Sequence, residues 1–130
     1  MLKEITVLIP TYNRPELLNK NLESISSQDF DGKIKCVISD NASSEATDEV
    51  VNKWKNNNKN IYISYIKNLE SIPPIENFIS TTKDIDTEYC KFLQDDDWLE
   101  PNALSKISHY LNIYNADSLI FNCNIFSYTQ

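Results

Sequence analysis

Phe92-Leu93-Gln94-Asp95-Asp96-Asp97-Trp98-Leu99-Glu100-Pro101 sets three consecutive carboxylates between a short apolar run and a proline that opens an amphipathic segment. It reads as a strand, an acidic loop and a helix, since proline suits the first helical turn. Open α/β sheets hold ligands just beyond the carboxyl ends of their strands, so acids at such an end face the crevice. Two unit charges about 5 Å apart at an effective dielectric of about 20 repel by roughly 3 kcal/mol. A solvated loop relieves that repulsion by splaying, whereas a divalent cation turns it into attraction. Hard oxygen ligands suit magnesium or manganese. The same acids also stabilise a helix N-terminus with no ligand at all. On this stretch alone, metal loop and helix cap stand as equal readings.

Working outward, the chain repeats the strand, loop and helix order. Ile5-Thr6-Val7-Leu8-Ile9 is a β-branched run ended by Pro10, short enough for a buried strand, and a buried first strand suggests a parallel sheet. Pro15 suits a first helical turn, with Leu17, Leu18, Leu22 and Ile25 on one face. After the turn at Phe30-Asp31-Gly32, Ile34-Lys35-Cys36-Val37-Ile38 forms a second strand ending at Asp40. Ser43 or Ser44 can cap the next helix, Glu45, Asp48 and Glu49 suit its positive end, and Ala46, Val50 and Trp54 form its expected buried stripe. Ile61 to Ile66 is a third strand, and the prolines at 73 and 74 hold off helix until Ile75. A short helix through Ile75, Phe78 and Ile79 precedes a fourth strand, Tyr89 to Leu93. Beyond the acidic loop, Leu104, Ile107, Leu111 and Tyr114 mark a helix, and Ser118-Leu119-Ile120-Phe121 a fifth strand. This alternation predicts an α/β fold, a mostly parallel sheet with helices on both faces.

Composition narrows the function. The 130 residues, 41% hydrophobic with formal net charge -7, suit one domain. The negative charge argues against nucleic-acid or anionic-membrane partners and requires a cation between the protein and any phosphate ligand. No apolar run reaches a membrane span, and Met1-Leu2-Lys3-Glu4 leads directly into a strand pattern, so a cytoplasmic protein is expected. Cys36, Cys90 and Cys123 lie in apolar runs without ligand spacing and read as buried, reduced thiols. With His109 as the only histidine, zinc sites and histidine relays are disfavoured, and the single glycine, Gly32, removes the glycine-rich nucleotide motifs. A receiver-like signalling domain also gathers acids at strand ends. It needs an acid pair after the first strand, where this chain has Pro10-Thr11-Tyr12.

Three segments carry a resemblance: Val7-Leu8-Ile9-Pro10-Thr11-Tyr12-Asn13-Arg14-Pro15, then Val37-Ile38-Ser39-Asp40-Asn41-Ala42-Ser43, then Phe92 to Trp98 with Pro101. In this order they resemble the N-terminal half of a family 2 glycosyltransferase with the Rossmann-like GT-A fold. The resemblance covers residues 1–130 as one nucleotide-diphospho-sugar-binding domain. It implies a donor such as a UDP- or dTDP-sugar, with Mn2+ or Mg2+ bridging the diphosphate to an Asp-x-Asp motif. It also implies a glycan, lipid-linked or protein acceptor in polysaccharide biosynthesis, and a location in the cytoplasm or at the inner face of the membrane. By position, Pro10, Thr11, Tyr12, Arg14, Asp40, Asn77, Asp95 and Asp96 would bind the nucleotide. Asp97, then Asp96, then Asp95, would bind the metal.

The residue types support those roles. An aromatic face under a base is worth about 1–3 kcal/mol and tolerates any base; packing locally in an ordinary turn is the plain alternative for Tyr12. A carboxylate such as Asp40 accepts the ring N–H of uracil or thymine, and of guanine, but opposes the acceptor of cytosine. The segment from Leu69 to Asn77 lacks the glycine and arginine usual in the family, and Asn77 is left to keep part of that role. Gln94 stands where an acid or small residue is common. Glu100 reads as a helix-start residue and Asp117 as a turn residue, so the general base is expected beyond Gln130. Self-association through an uncovered sheet edge or apolar face follows from that expectation. Two competing readings are a non-catalytic nucleotide-binding module and a purely structural α/β domain with an acidic turn.

Overall fold

Strand β1 (Glu4–Thr11) lies inside a parallel sheet and is buried on both faces, in the computed structural model, which describes residues 1–125. Strands β2 (Lys33–Asp40), β3 (Ile61–Lys67) and β4 (Cys90–Phe92) complete a sheet of order β3-β2-β1-β4 among the described residues. Thr11 is in register with Asp40, and Leu8 with Phe92. The carboxyl ends of β1, β2 and β4 therefore open on the same edge, where the ligand crevice of such a sheet lies.

The two faces are covered unequally. Ile5, Val7 and Ile9 of β1 and Ile34, Cys36 and Ile38 of β2 face one cluster, as the period of two requires. Helix α1 (Pro15–Ser26) adds Leu18, Leu22 and Ile25, α2 (Glu45–Asn57) adds Val51, and α4 (Ala103–Tyr114) adds Leu104, Ile107 and Leu111. On the other face, where Leu8 and Val37 are also fully buried, lie the short α3 (Pro74–Ser80) and the 3-10 turn Thr81–Asp84. Phe78 of α3 stacks on Phe92 with ring centroids 4.4 Å apart. Each face-burying aliphatic residue contributes about 1.5–3 kcal/mol, and that sum holds the sheet between its helices.

Several expectations are corrected. Residues 118–121 form no strand: Ile120 is wholly exposed, because strand preference is a preference for a paired, half-buried surface and no neighbour pairs with this run. The buried stripe of α2 runs through Thr47 and Val51, with Val50 and Trp54 half-buried and Ala46 exposed. Tyr114 is exposed at the end of α4, where it stacks on Tyr110 rather than entering the core, and Leu17 is only half-buried. Cys36 is buried, its thiol pushed up to about 12 by burial, but Cys90 on the edge strand and Cys123 in the irregular tail are exposed. Neither serine hydroxyl caps α2. Ser44 holds the cap position without a side-chain bond, and Ser43 Oγ instead accepts the Asn13 N–H. Among the described residues no helix is long and apolar enough to cross a membrane.

Candidate functional site

Three loops meet at the carboxyl edge of the sheet, and Asp95 joins two of them. Its carboxylate accepts the Thr11 hydroxyl at 2.8 Å, the Arg14 guanidinium at 3.1 Å and the Tyr12 N–H, while the residue is only 3% exposed. The same Arg14 nitrogen reaches Asp96 at 3.1 Å. Asp95 thus clamps the loop after β1 to the acidic loop. A second clasp joins the loops after β1 and β2: Asn41 N–H donates to Thr11 O, Asn13 N–H to Ser43 Oγ, and Ser44 N–H to Asn13 Oδ1. Asn13 and Ala42 hold these turns at φ 47° and 58°. For Ala42 that left-handed conformation costs about 1–2 kcal/mol, strain of the kind found at sites where geometry matters more than local stability.

The acidic loop is held from α1. The Asn21 amide donates to the carbonyls of Gln94 at 2.8 Å and Asp97 at 2.9 Å, and the Asp97 N–H closes a turn onto Gln94 O. This role was not read from the sequence. The available signal was an asparagine on the same helical stripe as Leu18, Leu22 and Ile25, where it is fully buried.

The three aspartates do not converge: among the described residues no group of three acidic, histidine or cysteine side chains is placed to hold a metal. Asp95 faces inward, Asp96 is half exposed on Arg14, and Asp97 is exposed. Lys91 lies in the field of Asp97; burial lowers its pKa and that carboxylate partly restores it. The donor set fits magnesium or manganese in one mode only, one or two exposed carboxylates completed by phosphate oxygens and water, which is how magnesium commonly binds. Asp96 and Asp97 are the exposed carboxylates of the loop, whereas Asp95 is buried with its oxygens engaged by Thr11 and Arg14.

The remaining site residues divide. Tyr12 presents an aromatic ring 52% exposed at the edge, and Pro10 is half-buried beside it. Asp40 is fully buried: Oδ1 accepts the Ser43 N–H at 2.9 Å, and Oδ2 meets the Tyr65 hydroxyl, which also reaches Asp48. Asn77 is buried with both ends engaged, accepting from Ser39 Oγ and Asn68 and donating to Ser39 O. Thr11, Tyr12, Arg14, Asp95 and Asp96 therefore form one cluster, with Asp97 exposed on the same acidic loop, whereas Asp40 and Asn77 brace the sheet.

Comparison with known proteins extends this geometry. The model of glycosyl transferase family 2 matches residues 6–129. The chain belongs to that family. It is 36% identical to abequosyltransferase RfbV of Salmonella typhimurium over 126 residues, 93% of this chain and 38% of that protein. It is 32% identical to the GalNAc(5)-diNAcBac-PP-undecaprenol beta-1,3-glucosyltransferase of Campylobacter jejuni, over 84% of this chain and 35% of that one. The chain thus spans little more than a third of these relatives. Among solved structures, S. aureus TarS 1-349 in complex with UDP superposes with TM-score 0.79 at 21% identity, over 86% of this chain and 33% of that one. Mannosyltransferase PcManGT from Pyrobaculum calidifontis, in complex with GDP-Man and Mn2+, gives TM-score 0.70 at 22% identity, over 82% and 32%. The expected GT-A fold is borne out, and the cluster around Asp95 sits at the carboxyl edge of its sheet.

Asp95 yields a pH prediction. Burial raises its carboxyl above the ordinary value, opposed by the Thr11 hydroxyl, Arg14 and the Tyr12 N–H and reinforced by Asp96. A group whose folded pKa lies above its unfolded one contributes stability that is full below the unfolded value and is lost as pH rises through the folded value. Relative to Asp95→Asn, the wild-type protein is expected to gain stability as pH falls from about 7 to about 4, through the carboxylate range. Asp48, held low by hydrogen bonds from Lys67 and Tyr65, acts in the opposite direction in both proteins and cancels. Urea melts across that range decide it; a difference that widens toward acid in favour of the asparagine variant contradicts the burial account.

Proposed function

We propose that the protein transfers a sugar from a nucleotide-diphosphate sugar, with uracil or thymine as base, to a glycan, lipid-linked or protein acceptor in polysaccharide biosynthesis. The observation that carries the reading is the cluster at the carboxyl edge of the sheet, where an exposed aromatic ring, a guanidinium and two exposed carboxylates lie on loops locked together by Asp95. Relatives named as sugar transferases, and a solved neighbour holding UDP-GlcNAc, support the donor class.

In this reading Tyr12 offers its ring to the base, and the loop residues Pro10, Thr11 and Arg14 border the ribose and diphosphate. Asp97, with Asp96 second, holds Mn2+ or Mg2+. Lewis-acid stabilisation of the leaving diphosphate is the chemistry a cation supplies there. Arg14 and Lys91 add positive charge beside the acids, so the diphosphate meets a mixed field instead of a purely negative one. Deprotonating an acceptor hydroxyl requires a base within hydrogen-bond reach. Asp95 is poorly suited, being buried and triply engaged, and carboxylates committed to a cation are weak bases. The base is therefore assigned outside the Asp95 to Asp97 loop. The protein acts in the cytoplasm, free or at the inner face of the membrane. Self-association through an uncovered apolar face is part of the proposal, and Ile75, Ile79 and Phe92 are exposed apolar side chains available for it.

Calorimetry with uridine diphosphate and manganese, beside a turnover assay with nucleotide sugars, tests the proposal. Tyr12→Ala is expected to weaken the nucleotide by about 1–3 kcal/mol. Binding without turnover on any acceptor favours a nucleotide-binding module; absence of binding leaves only the structural reading.

A further inference from the structure

The acidic loop owes its shape to one edge of α1. Asn21, Ser24 and Gln28 are three and four residues apart, a spacing that puts them on one side of the helix and its continuation. Asn21 grips the carbonyls of Gln94 and Asp97, and Ser24 Oγ accepts the Leu99 N–H at 3.1 Å. Gln28 donates to Glu100 O at 2.7 Å and accepts the Leu104 N–H at 2.9 Å. The backbone of residues 94–104 is thus fixed at five points by three side chains that reach no exposed carboxylate themselves. Asn21 stands apart within this row. It is fully buried in an aliphatic stripe, and its Oδ1 has no hydrogen-bond partner among the described residues. A buried unmet acceptor is unfavourable, and an apolar side chain of similar size would avoid it. Its amide group contacts two carbonyl oxygens, which only N–H donors can satisfy, so the partners themselves fix the amide's orientation.

We infer that Asn21 is a positioning residue: it holds the turn Gln94 to Asp97 so that Asp97 presents its carboxylate outward, at the expense of a locally unsatisfied core. The inference rests on the donor-site reading above. Residues behind metal ligands commonly change metal affinity or activity by about 10–100-fold when removed, although they touch neither metal nor substrate.

The test compares wild type with Asn21→Leu, which keeps the branched shape and suits the apolar surroundings but has no donor, and with Ser24→Ala, which removes a neighbouring anchor if the first variant folds poorly. Asn19→Ala is the control: Asn19 lies on the same helix, accepts the Trp54 indole N–H at 2.8 Å, and makes no bond to the acidic loop. Uridine diphosphate affinity in manganese is read by calorimetry, hydrogen exchange at the Asp97 and Leu99 amides by mass spectrometry, and stability by thermal melting. Asn21→Leu is expected to bind about tenfold more weakly, with faster exchange at Asp97. Ser24→Ala is expected to quicken Leu99 and weaken binding less, and Asn19→Ala to melt lower yet bind as wild type. Two results overturn the positioning role alone: Asn21→Leu binding like wild type, or Asn19→Ala losing as much affinity as Asn21→Leu. Failure of the wild-type protein itself to bind overturns the donor reading and the positioning role with it.

Discussion

In excess chelator, uridine diphosphate is expected to bind at least about a hundredfold more weakly than in manganese. One carboxylate about 5 Å from a phosphate charge, at an effective dielectric of about 20, costs roughly 3 kcal/mol, and each 1.4 kcal/mol is about tenfold in affinity. The exposed acids Asp96 and Asp97, on a chain of net charge -7, supply that repulsion when no cation intervenes. The sign of one substitution makes the test sharp. Asp97→Asn is expected to weaken binding in manganese, because a ligand is lost, and to improve it in chelator, because a repulsive charge is lost. Asp96→Asn should follow the same pattern with smaller amplitude, since Arg14 already offsets part of its charge. Calorimetry of the four combinations reads both signs. Equal affinity with and without manganese sinks the metal assignment, and weakening by Asp97→Asn in both media would make Asp97 a direct partner of the nucleotide.

Much of this architecture is legible in the sequence because the physics involved is local. β-branched runs of five or six residues between turn residues gave β1, β2 and β3, and Pro15 gave the start of α1. What failed depended on neighbours. The run 118–121 has strand composition but no ladder partner, and the register of the α2 stripe moved by one residue because Thr47, not Ala46, meets the core. Site chemistry divides the same way. Three acids after an apolar run mark a loop at a strand end, yet nothing in Asp95-Asp96-Asp97 says that the first turns inward to Thr11 and Arg14, residues more than eighty positions away. The loop-holding role of Asn21 and the sheet-bracing bonds of Asn77 are hidden in the sequence for the complementary reason. A buried amide is chosen by the carbonyls it meets in three dimensions, and one sequence does not display those partners.

Asp40 gives the second large effect, and its two substitutions are expected to diverge. Asp40→Ala leaves the buried Ser43 N–H without its acceptor and the Tyr65 hydroxyl with Asp48 alone, in a site with no exposure to water. An orphaned buried group costs about 1–3 kcal/mol, so a loss of about 2–5 kcal/mol is expected with the packing defect included. Asp40→Asn behaves differently, for a reason that lies in the count of protons. Tyr65 has one hydroxyl hydrogen and faces two carboxylates, so it can donate to only one of them. An asparagine at position 40 can donate its amide N–H to the phenol oxygen while Tyr65 donates to Asp48, and its carbonyl still accepts from Ser43. Most of the stability is therefore expected to remain in Asp40→Asn, which frees this variant to report on base recognition. If Asp40 also accepts a ring N–H when Tyr65 or the Tyr12 loop shifts, Asp40→Asn blurs the preference for uridine over cytidine diphosphate. Wild-type protein that binds the two diphosphates equally assigns Asp40 to the loop clasp alone, and base selection then falls to other residues of the cleft.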